Sequence, residues 1–231
     1  MKIFFITIII SLFTILNASS VIGLVQNVKG NVKVKSEQSI TKSKVKKGLK
    51  IKNGDLITTS KQGTAVLKLI DGSVLALDVS SALHFKTQNN VEQTNGKVYY
   101  KITSRDAKNS LKIRTPFAII GIKGTTFVVN ATDKSSIKLQ EGLIGVKSLK
   151  ENFKLYRKSV IAEYNKYISK QESDFEKYKK KQKEHVLEIT KEFDLHAQSS
   201  VSFFENEVNE NDFTKADKAE FTYFKKMIEI K

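Results

Sequence analysis

Cysteine is missing from all 231 residues, and disulfide crosslinks, thiolate nucleophiles and cysteine-ligated metal centres are excluded with it. Tryptophan is also absent, proline occurs once, at Pro116, and histidine three times. His185 and His196 stand three helical turns apart. His84 sits alone between Leu83 and Phe85, so no histidine has the i,i+4 partner and adjacent glutamate of a helical zinc site. The acids are equally scattered. Asp55 and Asp71 each adjoin a glycine, which reads as turn formation through backbone amides rather than as catalysis or calcium binding. Asp71 and Asp78 would face opposite sides of one strand, poor geometry for an acid–base pair. No catalytic residue, metal or cofactor is therefore expected.

Long apolar runs are confined to the start of the chain. Lys2 precedes the run Ile3 to Leu16, and the small residues Ala18 and Ser20 stand at minus-three and minus-one for a cut before Val21. Residues 1–20 thus read as a signal peptide for export, with the periplasm as the expected compartment. The next most apolar stretch, Ile113 to Val129, carries Arg114, Pro116, Lys123 and two glycines, so no membrane span is expected once the signal is removed.

Charge and periodicity divide the remainder in two. Residues 21–150 hold 23 Lys or Arg against 8 Asp or Glu, whereas residues 151–231 hold 16 of each. In the first block apolar and polar residues alternate, as in Val32-Lys33-Val34-Lys35 and Leu111-Lys112-Ile113-Arg114. That alternation is the period of a strand with one buried face. Glycine punctuates it at Lys47-Gly48, Asn53-Gly54, Gln62-Gly63, Asp71-Gly72, Asn95-Gly96 and Glu141-Gly142. Strands are expected over 22–28, 31–36, 49–51, 56–58, 64–70, 73–78, 82–86, 97–102, 110–115, 117–121, 125–131, 136–140 and 143–148. They form a compact, mainly antiparallel sandwich, barrel or β-roll. Lys33, Lys35, Lys68, Lys112 and Lys138 fall at polar positions of these strands and form a candidate basic surface for an anionic envelope polymer or lipid, or for an acidic protein patch. Export, and the lack of a recognition motif, argue against nucleic acid.

The densest motif runs from Thr115-Pro116 to Gly121-Ile122-Lys123-Gly124-Thr125-Thr126. A phosphate loop needs Gly-Lys-Ser/Thr before a helix, but here Lys123 precedes Gly124 and Phe127-Val128-Val129 continues as a strand. The two glycines fit a bend or bulge. Gly121, Lys123, Gly124 and Thr125 are the candidate interaction loop. An ordered set of elements leads up to this motif. It comprises Gly48-Leu49-x-Ile51-x-Asn53-Gly54-Asp55-Leu56-Ile57, Gly63-Thr64-Ala65-Val66-Leu67 with Asp71-Gly72-Ser73, Leu83-x-Phe85, Gly96-Lys97-Val98 and, after the motif, Glu141-Gly142-Leu143. In that order the elements resemble the FecR-type periplasmic domain over about residues 23–148.

The resemblance implies a β-rich, non-catalytic module outside the cytoplasmic membrane. In the family's regulators this module follows a sigma-factor-controlling cytoplasmic segment and a membrane helix. Here an export signal takes that place, so a role in sigma-factor control is not expected. The expected function is a non-catalytic binding or scaffold protein of the cell envelope. The alternative is a periplasmic sensory module that relays ligand binding to a membrane partner.

After Lys150 the spacing changes. Phe153, Tyr156, Val160, Tyr164, Tyr167, Phe175, Tyr178, Val186, Ile189, Phe193 and His196 advance by threes and fours, which predicts one long helix. A second helical piece is expected from Phe203 through Ile228, with a turn at Asn209–Asp212. Three packings would bury such a tail: a helical hairpin, self-association through the stripe, or docking on the β-block. The hairpin is the expectation.

Overall fold

The computed structural model describes residues 20–103, 110–122, 124–158 and 188–229. Residues 1–19 of the expected signal peptide 1–20, and the middle of the expected long helix, lie outside them.

The strands are β1 (Val21–Lys29), β2 (Val32–Lys35), β3 (Ser43–Lys44), β4 (Lys50–Lys52), β5 (Leu56–Thr59), β6 (Thr64–Leu69), β7 (Val74–Leu77), β8 (Ala82–Thr87) and β9 (Asn90–Lys101). They continue as β10 (Leu111–Arg114), β11 (Ala118–Ile122), β12 (Thr126–Ala131), β13 (Ser136–Glu141), β14 (Leu143–Ser148), β15 (Phe153–Tyr156), β16 (Glu188–Thr190), β17 (Glu192–His196), β18 (Ser199–Phe204) and β19 (Glu207–Asp212). One helix follows, α1 (Lys215–Glu229).

Two layers result. One runs β4-β1-β6-β7-β9-β12-β13-β18-β19-β15-β16. The other runs β3-β2-β5-β8-β9-β10-β11-β14-β17. All pairings are antiparallel except β9 with β10 and β15 with β19. The first layer carries α1 on its outer face, and among the described residues no element covers the outer face of the second. Between them lies a core that includes Val25, Ile57, Leu67, Phe85, Tyr100, Ile113, Ile120, Phe127, Leu139 and Leu155. The layers do not close into a barrel. Among the described residues β3, β4, β16 and β17 each pair on one side only.

β9 joins the layers. Its first half pairs with β8 in the open sheet, and its second half with β7 and β12 in the covered one. The passage falls at Asn95-Gly96, where Gly96 has φ +79°. A Cβ there would lie 2.4 Å from the Ser81 Cα, so the crossing needs glycine both for its dihedral and for its clearance. Gln93 holds the corner from inside the core. Its Nε2 donates to the Gly96 and Val129 carbonyls at 3.0 and 3.1 Å, and its Oε1 accepts from the Tyr100 hydroxyl at 2.8 Å. Burial pushes the Tyr100 phenol well above its usual pKa, so it remains a donor.

The alternating segments place their apolar residues inward as expected. Asn90 to Asn95, unassigned from sequence, belongs to β9, and Ser43–Lys44 adds a short edge strand. The tail departs from expectation. Phe153 and Tyr156 lie in β15, Ile189 in β16, Phe193 and His196 in β17, and Phe203, Phe204 and Val208 in β18 and β19. Asn209–Asp212 is strand rather than turn. These segments extend both layers, because β18 pairs with β13 and β17 with β14. Glu192-Phe193-Asp194-Leu195-His196 alternates exposed and buried residues, a period-two signal that also contains a three-residue spacing. The described tail therefore holds a single C-terminal helix and no helical hairpin. Docking on the β-block is the packing that α1 adopts.

Candidate functional site

α1 begins with a capping box. The Thr214 hydroxyl accepts from the Asp217 amide at 3.2 Å, and Asp217 Oδ2 accepts from the Thr214 amide and hydroxyl, both at 2.7 Å. Phe221, Phe224, Met227 and Ile228 then fall on one face. That face covers a row running straight across four strands: Val66 of β6 opposite Ala76 of β7, Ala76 opposite Tyr99 of β9, and Tyr99 opposite Val128 of β12. Phe224 stacks on Tyr99 at 5.5 Å between ring centroids, and Phe221 meets it edge-on at 5.9 Å. Burial, with Glu141 adding, raises the Tyr99 phenol to about 12.

The row continues to Lys138 of β13, opposite Val128. Lys138 Nζ lies 2.7 Å from Asp217 Oδ1 and 2.7 Å from Glu220 Oε2, and Lys97 pairs with Glu220 Oε1. The Tyr223 hydroxyl donates to Asp78 Oδ1 at 3.1 Å. Burial works against each charge, but the mutual hydrogen bonds prevail. Asp217 and Glu220 are held below the usual carboxylate range and Lys138 above the usual lysine value. An apolar row flanked by cations is thus covered by a helix with the complementary face.

This arrangement redistributes the expected basic surface. Lys138 is not a free surface cation but part of the α1 clamp. Lys33, Lys35 and Lys112 are exposed on the open sheet. Lys68 is exposed on the covered sheet, beyond Val66. Lys33 stands opposite Lys44. The five lysines therefore occupy three separate environments.

The candidate loop is divided as well. Gly121 pairs with Gly145 within the open sheet. Thr125 is buried and exchanges backbone hydrogen bonds with Ile102 at 2.9 and 3.2 Å. Gly142 packs on it so closely that a Cβ would lie 2.6 Å from Thr125 Cγ2. Lys123 lies outside the described residues.

The Thr115-Pro116 step turns β10 into β11. The Thr115 hydroxyl donates to the Ala118 carbonyl at 3.0 Å and accepts from the Phe117 and Ala118 amides at 3.3 and 2.9 Å. Thr115→Val should therefore cost about 1–2 kcal/mol by orphaning these buried groups, a difference that equilibrium urea unfolding resolves. Pro116 and Leu149 rim two shallow clefts. One, of about 250 Å³, is lined by Phe117, Phe153 and Asn206; the other, of about 200 Å³, by Glu92 and Arg114. Both fall below the ~300–1,000 Å³ of ordinary small-molecule pockets.

Among the described residues no group of three or more His, Cys, Asp or Glu could hold a metal ion, and no helix is long and apolar enough to cross a membrane. Asp55 accepts from the Lys52 amide at 2.9 Å, and Asp71 from the Ser73 amide and hydroxyl at 3.0 and 2.8 Å, so both form turns.

Fold and surface define a β-sandwich module with a helix clamped to one sheet. Residues 55–145, from the start of β5 into β14, match the FecR protein family, and the chain carries a FecR-like domain there. Two crystal structures of a candidate anti-sigma factor from Parabacteroides distasonis ATCC 8503 align at 14% and 13% identity. Each alignment covers 72% of this chain, with TM-scores of 0.48 and 0.47. The chain spans 64% and 63% of their lengths, less than two thirds. No curated protein matches.

The clamp residues Tyr99, Asp217 and Glu220 were not singled out from sequence, and Lys97 entered only within the Gly96-Lys97-Val98 element. Two signals point to them. Val98-Tyr99-Tyr100 and Phe127-Val128-Val129 break alternation, as strands buried on both faces do. Thr214-x-x-Asp217 is a helix-start signature.

Proposed function

We propose that this protein is an exported, periplasmic sensory module of the FecR type that relays occupancy by an envelope partner, without catalysis. The observation that carries this reading is the FecR-like domain over residues 55–145. The clamp supplies the element a relay requires, because α1 is held by one apolar face and a small set of charges. A partner that competes for Lys97 and Lys138, or for the apolar row, has a defined structural consequence: release of α1. In this reading Gly121, Lys123, Gly124 and Thr125 are the candidate contact loop, with Thr125 paired and packed at its end. Lys33, Lys35 and Lys112 on the open sheet supply attraction to an acidic partner. The chain's own export signal would deliver the module to the periplasm.

Hydrogen exchange on the full chain, with and without solubilised envelope extract, tests the relay. The expected result is loss of protection in α1 and at Tyr99, with gain of protection on the partner-contacting face. Gain without any loss would instead establish a static scaffold. Unchanged protection throughout would overturn the relay reading.

A further inference from the structure

The domain has two ends, and the one where the chain enters β1 is chemically distinct. Ser20 is fixed there: the Asn53 amide donates to its carbonyl at 3.1 Å and Asn53 Nδ2 to its hydroxyl at 2.6 Å. The β2–β3 loop reaches the same end, because Glu37 packs on Gly54, where a Cβ would lie 2.6 Å from the Glu37 Cβ. The β6–β7 turn is there too, since the Ile70 amide donates to the Ile22 carbonyl at 3.0 Å.

Both turns present isoleucines to solvent. Ile40 is 96% exposed and Ile70 61% exposed. Ile40 is held outward by local bonds. The Ser39 amide donates to the Ser36 carbonyl at 2.9 Å, the Ser39 hydroxyl to the Thr41 carbonyl at 2.8 Å, and the Thr41 amide back to the Ser39 hydroxyl at 3.2 Å. The strands and loops leading to the Ile40 tip are rich in lysine, while Ile70 is followed by Asp71, whose carboxylate is bonded within its own turn to Ser73. Residues 21–54 contain nine lysines and a single acid, Glu37. All nine are exposed, and the ion pairs of the described residues involve none of them.

Ile40 and Ile70 are thus exposed aliphatic side chains on turns of one end, in a stretch of chain rich in exposed lysine that forms no ion pair among the described residues. This combination matches a surface that is anionic outside and apolar a few ångströms below. We propose that this end, through Ile40 and Ile70 with Lys35, Lys42, Lys50 and Lys52, docks on an anionic phospholipid bilayer. Lysines supply attraction to the headgroups, and the isoleucine tips supply shallow insertion. The docking goes beyond the relay reading and does not depend on it.

The chain has no cysteine, so a single introduced thiol reports one position cleanly. Ile40→Cys and Phe204→Cys, each in the chain freed of its export signal, would carry an environment-sensitive dye. Phe204 is 71% exposed and lies at the opposite end, as the last residue of β18. Vesicles of phosphatidylcholine alone are compared with vesicles containing phosphatidylglycerol. The expected result is a blue shift at position 40 on anionic vesicles only, and none at position 204. Replacing Lys42, Lys50 and Lys52 with Gln should weaken partitioning roughly a hundredfold, about fivefold per lysine. The circular dichroism spectrum should not change.

An equal shift at position 40 on neutral vesicles would assign the contact to apolar anchoring alone and overturn the proposal. Equal shifts at both positions would do the same. So would salt-sensitive co-sedimentation without any shift at position 40, which assigns the lysines to a polymer.

Discussion

Phe224→Ala should lower the free energy of unfolding by about 3–5 kcal/mol, the usual cost of truncating a buried phenylalanine. Phe224 is fully buried, and its ring stacks on Tyr99 in the centre of the row beneath α1. Truncation leaves a cavity under a helix that Phe221 and Met227 must then hold. Unfolding by denaturant, followed by near- and far-UV circular dichroism, separates two consequences. A single shifted transition means that α1 and the sandwich unfold together. An early helical loss ahead of the sheet transition means that α1 detaches as a unit, as the relay requires. A loss below ~1 kcal/mol would show that α1 adds little to the fold, against the burial described for it.

Lys138→Met should cost about 2–3 kcal/mol. That lies below the ~3–5 kcal/mol of breaking a fully buried pair, because Lys138 keeps 26% of its side-chain exposure. The methionine fills the aliphatic space but leaves Asp217 without its cation and Glu220 with Lys97 only. Adding Asp217→Asn and Glu220→Gln to Lys138→Met should recover part of the loss, since the orphaned charges are then gone.

The pH dependence carries a definite sign. Asp217 and Glu220 have lowered folded-state pKa values. Their contribution is full above the unfolded values near ~4 and disappears as pH falls through the lower folded values. Lys138 has a raised folded-state pKa, so its contribution is full below ~10 and is lost as pH rises through that folded value. Stability should plateau between these limits. Lys138→Met should flatten the acidic limb, as measured by denaturation midpoints across the acid range. An unchanged acidic limb would show that other carboxylates govern it.

Much of the sandwich was legible residue by residue. Val32, Val34, Leu111 and Ile113 point inward because an alternating strand has only one face to bury. The turns at Gly54, Gly72 and Gly142 take positive φ, which glycine adopts without steric cost. Asp55 and Asp71 form turns because their short carboxylates reach nearby amides. The tail was legible only in α1. Thr214-x-x-Asp217 starts it, and Phe221, Phe224 and Ile228 keep helical spacing. In β15 and β17 the aromatic spacing satisfied a helix and a strand alike over four or five residues. What decides between them is an edge offered elsewhere: β14 for β17, and β19 for β15.

The binding surfaces divide in the same way. Lys33, Lys35, Lys68 and Lys112 are exposed because a period-two strand puts them opposite the core, and that depends on sequence alone. Lys138 occupies the same kind of position and is covered, because α1 crosses β13 from a segment far along the chain. Local chemistry therefore determined the turns, the inward face of the alternating strands and the cap of α1. Tertiary structure decided which outward faces stay wet, which tail segments become strands and which cations are spent in an internal clamp. Those outcomes depend on surfaces that meet only after folding, when burial and Coulomb attraction act between residues the sequence keeps apart.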